Sequence, residues 1–249
     1  SEELSEILRL GPALQWGKGK TSSEPGRHNL NASNRVHTDD MQMWTHGEQP
    51  QISTGATIFT MGSCFAREIE SALMERGFSI ASDLDGTLEN GKREIGLTNR
   101  YNTASMLLEL KRLVLDKEVL PDDALLSETR DNLFNDMHYN SINDGESIDL
   151  IVERRRNFKE KFSSIKKSDA IFFTLGLNEA CFEKSSGLYR NISPTIREIR
   201  RGAALEVHCF SVQENLAMLN EIYHLIKSHC RAGVKLFITI SPVPLTMTY

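Results

Sequence analysis

Three features of the 249-residue sequence predict a three-layer α/β/α fold around a mostly parallel sheet. Two runs, Asp169 to Leu175 and Val234 to Ile240, are nearly continuous in apolar residues, the mark of parallel strands covered on both faces. A third run, Thr57 to Met61, stops at Gly62 and passes at once into an amphipathic stretch. Strands that alternate with segments of helical period form βαβ units with right-handed crossovers.

Residues 1–54 differ from the rest in composition and are expected to be a polar extension that wraps the domain or is partly mobile, ahead of an α/β domain over 55–249. Gly17-Lys18-Gly19-Lys20-Thr21-Ser22 lacks both the spacing of a phosphate loop and a preceding strand. After the first strand, Arg67 to Arg76 is predicted helical, with Phe65, Ile69, Ala72 and Leu73 on the inward face. Gly77 is placed to end it in the left-handed conformation. Phe78 to Ala81 follows as a short strand, and Asp83 to Gly96 as a glycine-containing loop.

Asn102 or Thr103 caps the next helix, which buries Met106, Leu107, Leu110, Leu113 and Val114. Residues 116–148 are polar and are expected to be irregular. A helix over Ile151 to Lys167 turns Ile151, Phe158, Phe162 and Ile165 inward. Past the Asp169 strand, Ser211-Val212-Gln213-Glu214 is a capping box that opens a long helix before the last strand.

A net charge of −5 gives no electrostatic support for nucleic-acid binding. No apolar run approaches the ~18 residues of a membrane-spanning helix, and Ser1-Glu2-Glu3-Leu4 lacks the layout of a signal peptide. Cys64, Cys181, Cys209 and Cys230 are scattered, which argues against zinc or a disulfide framework and for a reducing, cytoplasmic setting. The seven histidines are equally dispersed, so no metal and no cofactor is expected.

In parallel sheets ligands bind beyond the strand carboxyl ends. The loops there carry Gly62, Ser63 and Cys64; Gly176, Asn178 and Glu179; and Ser241 and Pro242. A hydroxyl and a thiol at a strand-to-helix turn meet outward backbone N–H groups and a dipole that favours negative charge. From this turn alone the plainer reading is favoured: Ser63 only caps the helix and Cys64 is a small packing residue. Glu179 fits a salt bridge or a helix cap as well as catalysis, and Arg197, Arg200 and Arg201 fit a solvated face.

Gly62-Ser63-Cys64-Phe65-Ala66 resembles the signature of the GSCFA-domain family. Thr174 to Ala180 resembles its second block, Thr239 to Thr248 its third, and Asn99-Arg100-Tyr101-Asn102 an intervening motif. That family is similar in outline to the SGNH (GDSL-like) esterases and acyltransferases. The resemblance implies a flavodoxin-like order of strands, with Cys64 in register with the nucleophilic serine and Ser63 as the alternative. It implies Asn178 as the side-chain oxyanion donor and Gly96 as the intervening glycine; beside these, Pro242 and Pro244 read as a rigid loop wall of the pocket, with Ser241 closing the strand. It also places an Asp-x-x-His base beyond Tyr249, so the chain reads as clipped inside the third block. His138, His208, His224 and His229 are the substitutes present.

The function expected on this resemblance is ester hydrolysis or acyl transfer on a small-molecule or carbohydrate ester, with an acyl donor as possible partner. Attack falls to Cys64 or Ser63. Two other classes remain: a non-catalytic domain that binds a ligand or partner in the same pocket, and a thiol sensor in which Cys181 resolves Cys64.

Overall fold

The structure is a computed structural model that describes residues 51–83, 99–115, 119–130, 132–139 and 145–240, all within one compact unit. In chain order the elements are β1 (Thr57–Gly62), α1 (Cys64–Met74), β2 (Ser79–Ile80), α2 (Thr103–Val114), β3 (Leu126–Arg130) and β4 (Leu133–Asp136). There follow α3 (Ile148–Phe162), β5 (Ala170–Leu175), β6 (Glu179–Glu183), β7 (Leu188–Tyr189), α4 (Ile196–Arg200), β8 (Leu205–Cys209), α5 (Val212–His229) and β9 (Lys235–Ile240). The central sheet has the order β2-β1-β5-β9, and every pairing in it is parallel. Helices lie on both faces, as the expected three-layer architecture requires.

Strand alternation sorts the side chains of β1 and β5 into two sets. Phe59, Met61, Ile171 and Phe173 join Met106, Leu110 and Val114 of α2, Phe158 and Phe162 of α3, and Ile222 and Ile226 of α5 in the main core. Each such side chain fully buried contributes about 1.5–3 kcal/mol. The Phe59 and Phe162 rings meet edge to face at 5.6 Å. All five apolar residues expected inward on α2 are buried, and Asn102 is the cap, its Oδ1 accepting from Ser105 N at 2.9 Å.

The other face of β1 carries Thr60 and Gly62, and α1 packs there. This corrects the expected face of α1: its buried residues are Ala66 and Glu70, while Phe65, Ile69, Ala72 and Leu73 are half-buried. The cause is the polar strand face. Glu70 Oε1 accepts from Thr60 Oγ1 and from Ser82 Oγ, both at 2.5 Å, and Arg67 pairs with Glu70 at 2.8 Å. The helix also begins at Cys64, three residues before the predicted start, because Ser63 alone turns the extended strand into it. Gly77 ends it as expected, at φ +80°, with its N–H donating to Met74 O at 2.9 Å.

Three further expectations change. The helix over 151–167 divides into α3 and a 3-10 helix at Ser163–Lys167, in which Ile165 stays buried. Residues 116–148 contain an antiparallel β3–β4 hairpin, with Asn132 in the left-handed region at φ 58°. β9 lies at the end of the sheet among the described residues, so Ile238 and Ile240 are 44% and 74% exposed instead of covered. An apolar run reports what a strand is made of, not how many neighbours it has.

After β5 the chain enters a second, antiparallel sheet of order β7-β6-β8. Arg190 anchors it, pairing with Glu198 at 2.7 Å and Glu183 at 3.4 Å in a buried setting. The expected solvated cluster Arg197, Arg200 and Arg201 is exposed on and just after α4.

Candidate active site

The chain leaves β1 for β2 on one side of the sheet and returns to β5 on the other. The carboxyl ends of β1 and β5 therefore flank the point where strand order reverses, the usual ligand site of open α/β sheets. Gly62 belongs there for steric reasons. A Cβ at this position would lie 1.9 Å from Thr174 Oγ1 and 2.4 Å from Thr174 O. Gly176 is close-packed to a lesser degree, with Ser63 Cβ at 3.2 Å and Tyr101 O at 3.1 Å from its ideal Cβ. Gly62, Ser63 and Gly176 are thus brought together.

The loop 99–102 joins both strand ends. Arg100 N donates to Gly62 O at 2.7 Å, and Leu177 N donates to Tyr101 O at 2.6 Å. Asn191 holds this loop from behind. Its Oδ1 accepts from Tyr101 N (2.6 Å) and Ser105 Oγ (2.9 Å), and its Nδ2 donates to Asn99 O (2.7 Å) and His138 O (2.9 Å). Beneath it Arg100 is fully buried, 4.1 Å above the Tyr139 ring centroid, with Arg155 at 5.0 Å. Burial would raise the Glu109 carboxyl, but Arg100, the His138 hydrogen bond and Arg155 outweigh it and hold the group well below the usual carboxylate range.

Ser63 and Cys64 have different surroundings. Ser63 is buried, makes no side-chain cap, and its Oγ has no hydrogen-bond partner among the described residues. Cys64 is exposed on the first turn of α1. Thr174 and Thr239, registered side by side on β5 and β9, also have buried hydroxyl oxygens without partners among the described residues.

Asn178 is exposed, and its carboxamide is held toward β8 and α5. Nδ2 donates to Phe210 O at 2.9 Å and lies 3.5 Å from Cys209 Sγ, while Oδ1 accepts from Asn215 Nδ2 at 2.7 Å. Among the described residues it makes no hydrogen bond to Ser63 or Cys64. Glu179 is half-buried as the first residue of β6, paired in register with Cys209. Gly96, Ser241, Pro242 and Pro244 lie outside the described residues.

The histidines separate clearly. His138 is buried, with Nδ1 3.0 Å from Glu109 Oε1 and Nε2 3.0 Å from Tyr189 O, so both ring nitrogens are occupied. His208 Nε2 is 2.9 Å from Glu214 Oε1 near the start of α5. His224 and His229 are exposed on α5. Cys181 is buried and burial pushes its thiol up, whereas Cys209 is exposed beside Asn178.

Sequence reasoning gave Asn191 and Asn215 no role. Asn215 stands four residues after the cap Ser211, a spacing that signals only a first helical turn. No local pattern marks Asn191. No group of three or more His, Cys, Asp or Glu among the described residues is placed to hold a metal ion. No helix of the described residues is long and apolar enough to cross a membrane. A hollow of about 410 Å³ lies at the opposite, amino-terminal ends of β1, β5 and β9; there Arg231 pairs with Asp169, and Lys235 Nζ donates to Gln51 O.

No curated protein and no solved structure matches the chain. The family model of the GSCFA family matches residues 57–248, a span that runs from the first residue of β1 past the end of β9 and includes Gly62 to Ala66 and Gly176 to Glu179. By that match, the chain belongs to the GSCFA family.

Proposed function

We propose that this chain transfers or hydrolyses acyl groups of small-molecule or carbohydrate esters, with Cys64 as nucleophile. The observation that carries this is the contrast at the β1–α1 turn, where Cys64 presents an exposed thiol and Ser63 is buried. The Cys64 thiolate attacks the ester carbonyl, a C–S bond forms, and the C–O bond breaks to leave a thioester. The released alkoxide takes up the proton the thiol gave to water. Water or an acceptor hydroxyl then takes the acyl group and restores the thiol. The first N–H groups of α1 and the Asn178 amide are the donors available to the tetrahedral oxyanion.

Brief exposure to p-nitrophenyl acetate, followed by peptide mass spectrometry, tests this reading. An acetyl group on Cys64 in preference to Cys209 is expected. Labelling of Cys209 with Cys64 left bare overturns it.

One observation favours a second reading, a non-catalytic pocket: both polar atoms of the Asn178 side chain already have partners. Under that reading esters shield Cys64 from iodoacetamide without acylating it.

A further inference from the structure

We propose that Asn215 is a positioning residue that fixes the rotation of the Asn178 carboxamide, an inference that rests on Asn178 acting as oxyanion donor. Phe210 O sets the direction of the whole chain of hydrogen bonds. A carbonyl only accepts, so the Asn178 atom 2.9 Å away is the amide nitrogen. Asn178 Oδ1 then faces Asn215, which donates through Nδ2 at 2.7 Å. Asn215 Oδ1 in turn faces Thr103 Oγ1 at 2.8 Å, and the hydroxyl donates. Flipping Asn178 would set its oxygen against Phe210 O, and flipping Asn215 would set its oxygen against Asn178 Oδ1 and Ser211 O, to which Asn215 Nδ2 also donates at 3.3 Å.

The consequence is chemical. One N–H of Asn178 is committed to Phe210 O, and among the described residues the other has only the Cys209 sulfur at 3.5 Å, a weak acceptor. That second N–H is the one an oxyanion takes. Because Asn178 is exposed, packing alone does not hold its amide plane; α2 and α5 hold it through Thr103 and Asn215.

Asn215→Asp replaces the donor with a carboxylate, keeps the acceptor for Thr103, and suits the first turn of a helix. Acylation of Cys64 by p-nitrophenyl acetate passes through an oxyanion, whereas its alkylation by iodoacetamide does not. Asn178→Ala is expected to slow acylation about a hundredfold and Asn215→Asp at least about tenfold, with alkylation unchanged in both. The double variant is expected to be no slower than Asn178→Ala, because Asn215 acts through Asn178.

Equal loss of acylation and alkylation in Asn215→Asp, or additive losses in the double variant, overturns the proposal. Full acylation in Asn178→Ala overturns the oxyanion reading itself. The orientation has its own readout in the Asn178 side-chain amide signals of a ¹H–¹⁵N spectrum. They are expected to move in Asn215→Asp; signals that stay in place overturn the positioning role whatever the acylation rates.

Discussion

Arg100 donates its backbone N–H to Gly62 O at 2.7 Å, tying the last residue of β1 to a loop 38 positions away in sequence. With Tyr101 O accepting from Leu177 N, the same loop grips the end of β5. The strand ends that flank Ser63 are therefore held by backbone hydrogen bonds, and side chains there are free to serve chemistry.

Gly62→Ala tests how tightly β1 and β5 approach. A methyl group 1.9 Å from Thr174 Oγ1 and 2.4 Å from a backbone oxygen forces the strands apart. We expect a loss of about 3 kcal/mol in urea denaturation. Gly176→Ala, whose nearest neighbours stand at 3.1 and 3.2 Å, is expected to lose less. Equal costs would contradict the geometry.

Thr174→Val addresses the partnerless hydroxyl. Thr174 is fully buried and its Oγ1 bonds to nothing among the described residues. Replacing it with an isosteric methyl relieves a desolvation cost of about 1–3 kcal/mol. The variant is expected to match or exceed the parent in melting temperature, and a clear drop would reveal a hydrogen bond absent from this structure.

Asn191→Ala removes four hydrogen bonds from one buried side chain. Tyr101 N–H loses its acceptor, while Asn99 O and His138 O keep Arg100 Nη1 as a donor, so a cost of about 2–3 kcal/mol is expected in chemical denaturation. A cost below about 1 kcal/mol would mean that water replaces the side chain freely.

Glu109 makes stability depend on acid. Its folded-state carboxyl is held below its ordinary value. Its contribution is therefore complete above the ordinary carboxylate range and drains away as pH falls from there toward the depressed folded value. Unfolding free energy is expected to decline through that acidic window in the parent and more shallowly in Glu109→Gln. At neutral pH the variant is expected to be weaker by about 3 kcal/mol, since Arg100 keeps a buried charge without its carboxylate whereas Arg155 retains Asp136 at 2.5 Å. Parallel pH profiles would assign the acid sensitivity elsewhere.

What the sequence made legible was local. The Thr57 and Asp169 strands, the Asn102 and Ser211 caps and the placement of Ser63 and Cys64 follow from patterns within a few residues. Burial of Glu70 did not follow, because it requires Thr60 and Ser82 to converge on one carboxylate. The partners of Asn178 were equally hidden: Phe210 and Asn215 lie 32 and 37 residues further on. The strands β6 and β8 escaped notice because the charged residues within and beside Glu179-Ala180-Cys181-Phe182-Glu183 obscure a short β pattern.

Only Ser63 intervenes between the last residue of β1 and the first of α1. A backbone so mounted has no slack: the Cα of Cys64 cannot shift unless β1 or α1 shifts with it. Any tuning of which molecules the thiol meets must come from the surrounding walls, while Cys64→Ser would exchange sulfur for oxygen and leave its address the same.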